Sequence, residues 1–279
     1  GIEMDKNTRI APKERAGGKL VSYLLLFLSA VVILSGLLWQ GGGEVLEIQV
    51  TPTQTPIPTD AAFDETPDSR EIALPSSTWY ALQLGAFETE RAAKELADQF
   101  ISRGAAGYVW HDGRYRTLAA VYPTREDAQA VRRQLSEQHT VETYLYQIDL
   151  SALRVRMSGA KGQLDILQAA FLHANDLVTR LQTLGVSLDR REMSNAEAVE
   201  VLQSLRAQTE TVTLRLMQRF PTPRHQTVQG LTDCFEAYAA FCNGLSAEES
   251  AVALAMLVKQ QTLNALNLLK TVYDGIGNT

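Results

Sequence analysis

Two stretches of the same design decide the fold of this chain: Leu84-Gly85-Ala86-Phe87-Glu88-Thr89 and Ala119-Ala120-Val121-Tyr122-Pro123-Thr124. In each, an alternating segment ends in an aromatic residue, a Thr follows two positions later, and an apolar pattern of helical period comes next. Thr is a good N-cap because its hydroxyl accepts a hydrogen bond from a free backbone N–H of the first helical turn. The pattern therefore predicts a strand–helix–strand unit that occurs twice.

The two units together fill residues 78–150. Strands are predicted at 78–84, 107–111, 115–121 and 141–148, and helices at 89–103 and 124–138. Between the two middle strands lies His111-Asp112-Gly113-Arg114, and Asp-Gly is typical of a tight hairpin turn. Two such units joined by a hairpin predict the ferredoxin-like βαββαβ arrangement, an antiparallel four-stranded sheet with both helices on one face and the other face open.

Strand alternation predicts which side chains lie on that open face. Leu82 and Leu84 pack under the helices, so their neighbours in the strand point the other way. The side chains predicted on the open face are Trp79, Ala81, Gln83, Arg114, Arg116 and Leu118. An amide, guanidinium groups and aromatic rings suit a sugar polymer, because they hydrogen-bond its polar groups and stack on its rings. The alternative is that Gln83 and Arg116 are ordinary solvated sheet residues.

This region resembles the SPOR (sporulation-related repeat) domain family over about residues 78–150. The resemblance is carried by the run Trp79-Tyr80-Ala81-Leu82-Gln83-Leu84-Gly85-Ala86-Phe87, the Ala-rich helix after it, and Tyr115-Arg116 on the third strand. It implies a non-catalytic protein of the bacterial envelope that binds septal peptidoglycan, with a preference for glycan strands stripped of their stem peptides. It also implies that Gln83 and Arg116 contact the glycan and that Arg114 adds a stacking group.

Four residues depart from the family pattern. Ala86 stands where many members have Ser, so a hydroxyl contact to glycan is missing there. Ala119-Ala120 replaces the usual Val-Gly, and Thr117 replaces an apolar core residue. Ala86 and Ala120 favour a second hypothesis, in which the SPOR-like domain is degenerate and the protein is an envelope scaffold whose helical bundle binds a protein partner. Such a sheet is also the shape of an RNA-recognition module, but residues 78–150 carry eight Arg/Lys against ten Asp/Glu, so nucleic acid is not expected as a partner.

A membrane anchor is predicted before this domain. Residues 20–39 are uncharged and long enough to cross a hydrocarbon core of about 30 Å. Five Lys and Arg residues in the tail 1–19 predict that the tail stays cytoplasmic and that the rest is extracytoplasmic. A cleaved signal peptide is the alternative, but the run ends in the bulky Leu37-Leu38-Trp39. Residues 40–77 hold five of the nine prolines and are predicted to be a linker.

A helical pattern fills residues 160–279. Its apolar spacing predicts four helices in an antiparallel bundle, with Gly185 ending the first and a capping box at Ser194-Asn195-Ala196-Glu197 starting the second. The bundle is expected to bind a protein partner or a second copy of the chain. Cys234 and Cys242 are eight residues apart on a predicted helix, too far for a disulfide. No catalytic, cofactor or metal-ligand motif is present, so neither enzyme activity nor a cofactor is expected.

Overall fold

The computed structural model describes residues 64–222, 224–246 and 248–277. Its elements are β1 (Pro67–Leu74), β2 (Ser77–Phe87), α1 (Glu90–Ile101), β3 (Tyr108–His111), β4 (Tyr115–Tyr122), α2 (Arg125–His139), β5 (Tyr144–Leu150), β6 (Leu153–Ala160), α3 (Lys161–Asp189), α4 (Asn195–Arg219), α5 (Gln226–Asn243) and α6 (Ala251–Gly277). The predicted tail, the span at 20–39 and the linker up to residue 63 lie outside the described residues. Among the helices described, none has the length and apolar character needed to cross a bilayer.

The four-stranded sheet has the predicted ferredoxin-like topology. Its strand order is β3-β4-β2-β5 and every neighbouring pair is antiparallel. The local signals act as expected: the Thr89 hydroxyl accepts from Ala92 N at the start of α1, and the Thr124 hydroxyl accepts from Asp127 N at the start of α2. Each such cap stabilises its helix by about 1 kcal/mol. Gly113 has a φ of 95° in the β3–β4 turn, as its glycine predicts.

Helices α1 and α2 cover one face of the sheet. Their small apolar core contains Leu82, Ala119, Ala128, Leu135 and Val141, with Leu84 packed at its edge. The hydroxyl of Thr117 points into this side and donates to the carbonyl of Ala93 at 2.8 Å, so the polar group is satisfied where the family has an apolar residue. The sequence-based assignment of this face is confirmed.

The prediction that the second face is open is wrong. Helix α6 lies across it and contacts β3, β4 and β5. Trp79, Ala81 and Leu118 are 6%, 0% and 0% exposed and form one continuous core with the helices. The physical reason is that this face is apolar for most of its length, and covering it removes that surface from water at about 25 cal/mol per Å².

The four long helices form a closed antiparallel ring. Gln163 at the start of α3 donates from Nε2 to the carbonyl of Arg219 at the end of α4, at a distance of 2.8 Å. Helix α5 packs against α4 and α6, and α6 packs in turn against α3. The ammonium nitrogen of Lys259 on α6 lies 2.8 Å from the carboxylate of Asp189 at the end of α3. This ion pair lies at the contact between α3 and α6, which closes the ring.

The predicted helix end at Gly185 is wrong. Helix α3 continues to Asp189, and Gly185 is buried at the point where α3 approaches α6. A Cβ added at Gly185 would lie 3.3 Å from Lys259 Cγ. The glycine therefore allows a close approach of two helices and does not end one.

The predicted linker also ends earlier than residue 77. Strand β1 pairs with β6 along its whole length, from Pro67 opposite Ala160 to Leu74 opposite Leu153, and forms a two-stranded arm. Ile72 and Leu74 alternate with polar or small residues, so both side chains lie on the same face of β1. That face packs against the core, and the two side chains are only 1% and 2% exposed. This arm leads directly into β2 at one end and into α3 at the other.

Candidate functional site

The end of the sheet that α6 leaves uncovered carries a polar cluster. Arg116 on β4 donates from Nη1 to the Oε1 atom of Gln83 on β2 at 2.8 Å, so the two predicted residues do lie together. The register between β2 and β4 shifts on both sides of Gln83. Such bulges re-aim side chains and are over-represented next to binding and active sites.

Two residues that the sequence analysis did not select complete this cluster. Asp112 accepts from Arg116 Nε at 2.9 Å and from the Tyr146 hydroxyl at 2.6 Å. The guanidinium carbon of Arg116 lies 4.5 Å from the centre of the Tyr146 ring, a cation–π contact. Gln83, Asp112, Arg116 and Tyr146 are called the rim cluster below.

The electrostatics of the rim cluster fix its protonation states. Partial burial opposes ionisation of Asp112, but hydrogen bonds from Tyr146 and Arg116 outweigh it and lower the pKa of its carboxyl. Partial burial, together with the Asp112 carboxylate, raises the pKa of Tyr146. Near neutral pH the cluster therefore holds a carboxylate, a guanidinium and a neutral phenol, with no net charge.

Arg114 and Ala86 lie beside the rim cluster and contact each other. Arg114 donates from Nη2 to the backbone carbonyl of Ala86 at 3.3 Å and lies 3.1 Å from the Glu88 carboxylate. Its side chain is 51% exposed, so the guanidinium is accessible to a ligand. Ala86 provides only its backbone oxygen, in agreement with the missing hydroxyl.

The prediction that the Trp79 ring lies on an open face is wrong. The residue lies on the predicted face of the sheet but is buried in the core under α6, so its ring is not available to stack on a sugar in this structure. Trp110 is the aromatic residue nearer the rim cluster, with its ring centre 6.4 Å from that of Tyr146, and it is also buried. Tyr146 is partly exposed, and Tyr144, which is 60% exposed and pairs with Gln83 across β2 and β5, offers a second accessible ring at this end of the sheet.

Three titratable side chains, those of Cys234, Cys242 and His173, lie within the helices and are shielded from water. Burial raises the pKa of the Cys234 thiol to about 12 and also raises the pKa of the Cys242 thiol, and both cysteines are free. Burial, with a contribution from Arg180, lowers the pKa of His173 to about 4, and its Nε2 lies 2.9 Å from the Thr209 hydroxyl. Among the residues described, no group of three or more His, Cys, Asp or Glu side chains could hold a metal ion.

A signal for Tyr146 and Asp112 was present in the sequence. In the run Tyr144-Leu145-Tyr146, alternation places Tyr146 on the face opposite Leu145, which packs with the α1 and α2 core. Asp112 stands in the predicted hairpin turn, next to the strand end that carries Arg116. The sequence could not show that the Tyr146 hydroxyl, on the edge strand β5, donates to Asp112 near the opposite edge of the sheet.

The topology defines a ferredoxin-like domain that carries a polar cluster at one end of its sheet. The SPOR domain family model matches residues 76–145, about a quarter of the chain, and this match confirms the resemblance. SPOR domains are non-catalytic and bind peptidoglycan in proteins of cell division. No curated protein and no solved structure matches the chain.

Proposed function

We propose that this protein is a non-catalytic peptidoglycan-binding protein that contacts glycan strands through the rim cluster. The observation that carries the proposal is the pairing of Gln83 with Arg116 at the accessible end of a sheet that matches the SPOR family. The amide and guanidinium groups hydrogen-bond sugar substituents, and the ring of Tyr146 offers a stacking surface beside them. Arg114 extends the same surface toward the β3–β4 turn.

The covered sheet limits the size of the site. Because α6 occupies the part of the face that carries Trp79 and Leu118, a glycan strand has access to the rim cluster, the adjoining turn and the exposed ring of Tyr144. The site therefore suits a short segment of a strand. It contacts the segment through polar side chains and the rings of Tyr144 and Tyr146, since the rings of Trp79 and Trp110 are buried.

Residues 20–39 supply the proposed attachment to the membrane, with the described domains outside it. The support is the uncharged length of that segment and the basic tail before it. Placement of the protein at a division or spore septum follows from the functions of the family and is part of the proposal.

Cosedimentation with purified sacculi tests glycan binding. The full chain in mild detergent is mixed with sacculi from which an amidase has removed part of the stem peptides, so that enough cross-links remain for the sacculi to sediment, and the pellet is assayed. We expect the wild type to sediment and the double variant Gln83→Ala, Arg116→Ala to lose at least about tenfold in affinity, equal to about 1.4 kcal/mol. The cluster is partly exposed, and exposed ion pairs contribute only about 0–1 kcal/mol to stability, so the variant should stay folded.

A matched control replaces the same residue types elsewhere. Gln147→Ala with Arg154→Ala removes one amide and one guanidinium from exposed positions away from the rim cluster, and this variant should sediment like the wild type. Wild-type protein that stays in the supernatant would overturn the proposal. A double variant at Gln83 and Arg116 that sediments normally would overturn only the assignment of the site.

A scaffold is the second candidate function, and the covered sheet face favours it. In that hypothesis the SPOR-like domain supports the helices, which bind a protein partner or a second copy. Leu172, Leu214 and Met217 are exposed apolar side chains on α3 and α4 that such a partner could cover. Imaging of a fluorescent fusion separates the two candidates: septal localisation that survives the Gln83→Ala, Arg116→Ala change supports the scaffold, and its loss supports glycan binding.

A further inference from the structure

Three contacts hold the guanidinium group of Arg116. Its Nε donates to the Asp112 carboxylate at 2.9 Å, its Nη1 donates to Oε1 of Gln83 at 2.8 Å, and its carbon lies 4.5 Å from the centre of the Tyr146 ring. The side chain of Arg116 is 22% exposed, whereas that of the neighbouring Arg114 is 51% exposed. A long side chain that is fixed before the ligand arrives loses less conformational entropy on binding, so Arg116 is preorganised.

The bond to Asp112 leaves part of the guanidinium group to a ligand. Together with the bond to Gln83, it uses the N–H of Nε and one N–H of Nη1. Among the hydrogen bonds of the described residues, none uses Nη2 of Arg116, and the second N–H of Nη1 is also left over. These donors suit a ligand oxygen, including that of a carboxylate. Asp112 and a ligand can therefore bind Arg116 at the same time.

Asp112 is itself held from across the sheet. It lies in the turn after β3, and the Tyr146 hydroxyl, from the strand at the other edge, donates to its Oδ2 atom at 2.6 Å. Its Oδ1 atom accepts from Arg116, so the two carboxylate oxygens serve two different partners. The Tyr146 ring also lies against the buried Trp110, with 6.4 Å between the ring centres. Asp112 and Tyr146 therefore link Arg116 to the core of the sheet.

We propose that Asp112, held by Tyr146, is a positioning residue that fixes the Arg116 guanidinium in the orientation in which it binds glycan oxygens. The inference rests on the proposed function and deepens it, because it assigns the glycan contact to Arg116 and its orientation to Asp112. Muramic acid freed of its stem peptide carries a lactyl carboxylate. If Asp112 acted only through its charge, removing that charge would strengthen binding of this anionic polymer. A positioning role predicts the opposite sign.

Asp112→Ala in the full chain tests the inference by cosedimentation with the partly stripped sacculi. We expect its affinity to fall about fivefold, because the released Arg116 side chain has to be ordered on binding. Asp149→Ala is the matched control, since it removes an equal charge from an exposed position on β5, where Asp149 accepts from Thr78. Salt screens such a charge, so the control should stay within about twofold of the wild type. Urea unfolding verifies that each variant is folded.

Asp112→Asn separates position from charge. The Asn amide can accept from Arg116 through its oxygen and donate to the Tyr146 hydroxyl through its nitrogen, and Asn-Gly favours the same hairpin turn. Although the charge is lost, this variant should bind within about twofold of the wild type because the orientation of Arg116 is kept. Tyr146→Phe keeps the ring beside Arg116 and removes the hydroxyl that holds Asp112, so a loss of about threefold is expected.

A double-mutant cycle shows whether Asp112 acts through Arg116. Asp112→Ala should cost about fivefold when Arg116 is present and nothing in an Arg116→Ala background, because the two effects are then coupled. A merely structural role of Asp112 would cost the same in both backgrounds.

The results also distinguish this inference from the proposed function. Asp112→Ala that binds as tightly as the wild type or more tightly, or a loss that persists without Arg116, overturns the inference alone. If Arg116→Ala sediments like the wild type, the site assignment is wrong and the inference fails with it. Wild-type protein that stays in the supernatant contradicts the proposed function and, with it, the inference.

Discussion

At the scale of single residues, Tyr108 joins the sheet to the helix that covers it. Its hydroxyl donates to Asn264 Oδ1 at 3.3 Å and accepts from Asn267 Nδ2 at 3.1 Å, both on α6. Burial raises the pKa of Tyr108, so the hydroxyl stays protonated and keeps both bonds throughout the neutral range. The sheet and α6 therefore share a polar anchor within an apolar contact.

Tyr108→Phe should lower the free energy of unfolding by about 1–2 kcal/mol, because two partly buried amide groups lose their partner. Urea unfolding of the full chain measures the change. Tyr144→Phe is the control: Tyr144 is 60% exposed, and a surface substitution of this kind should alter stability by no more than about 0.5 kcal/mol. Equal effects of the two substitutions would show that the Tyr108 anchor contributes nothing.

Single residues also show where sequence reasoning succeeds. Thr89, Thr124 and Gly113 were predictable because a cap or a tight turn depends on a few neighbouring residues. Trp79 was assigned to the right face of β2, but its exposure was not predictable from alternation. The two-residue alternation of a strand shows on which face of the sheet a side chain lies, but it does not show which element covers that face.

At the scale of elements, α6 takes the central position. It contacts α3, α5 and three strands of the sheet, so little of its surface is left to water. Its sequence indicated only part of this, because polar residues such as Lys259, Asn264 and Asn267 interrupt the apolar pattern that marks a fully buried helix. Strand β4 carried the matching signal: the continuous run Leu118-Ala119-Ala120-Val121 lacks the polar alternation expected of a strand with one solvated face.

Two glycine substitutions test how closely α6 is packed. A Cβ at Gly230 on α5 would lie 2.6 Å from Cγ2 of the buried Val272 on α6, so Gly230→Ala should destabilise the protein by about 1–3 kcal/mol. A Cβ at Gly275 meets nothing within 4 Å, so Gly275→Ala should raise stability by up to about 1 kcal/mol through helix propensity. Thermal or urea unfolding of both variants gives the signs, and destabilisation of equal size at both positions would contradict this packing.

At the scale of the whole molecule, the sheet and the bundle share one core. Trp79, Trp110 and Ile148 from the sheet belong to the same buried cluster as Leu266 and Phe171 from the helices. The division of the chain at residue 160 follows the change from strands to helices. The core does not end at residue 160 but continues from the sheet into the helices. The sequence could not predict this shared core, because a contact between two distant segments leaves no periodic pattern in the sequence of either segment.

The shared core predicts that the sheet and the bundle unfold together. In a Trp39→Phe background, Trp79 and Trp110 report on the sheet–bundle core by fluorescence, while far-UV circular dichroism reports mainly on the helices. The two urea transitions should have the same midpoint. As a check, Tyr108→Phe should move both midpoints by the same amount, and a fluorescence transition at lower urea than the dichroism transition would indicate separate units.

The arm formed by β1 and β6 gives the molecule a direction of mechanical strength. Pro67 pairs with Ala160, and β1 leads into β2, whose later part carries Gln83. A pull between residue 64 and Gln83 runs along the continuous backbone of β1 and β2, so the covalent chain bears it before the hydrogen bonds of the ladders do. A pull between residue 64 and α3 acts across the arm and opens its pairs one after another from Pro67. Tension toward the sheet is therefore borne by the backbone, whereas tension toward the bundle unzips the arm.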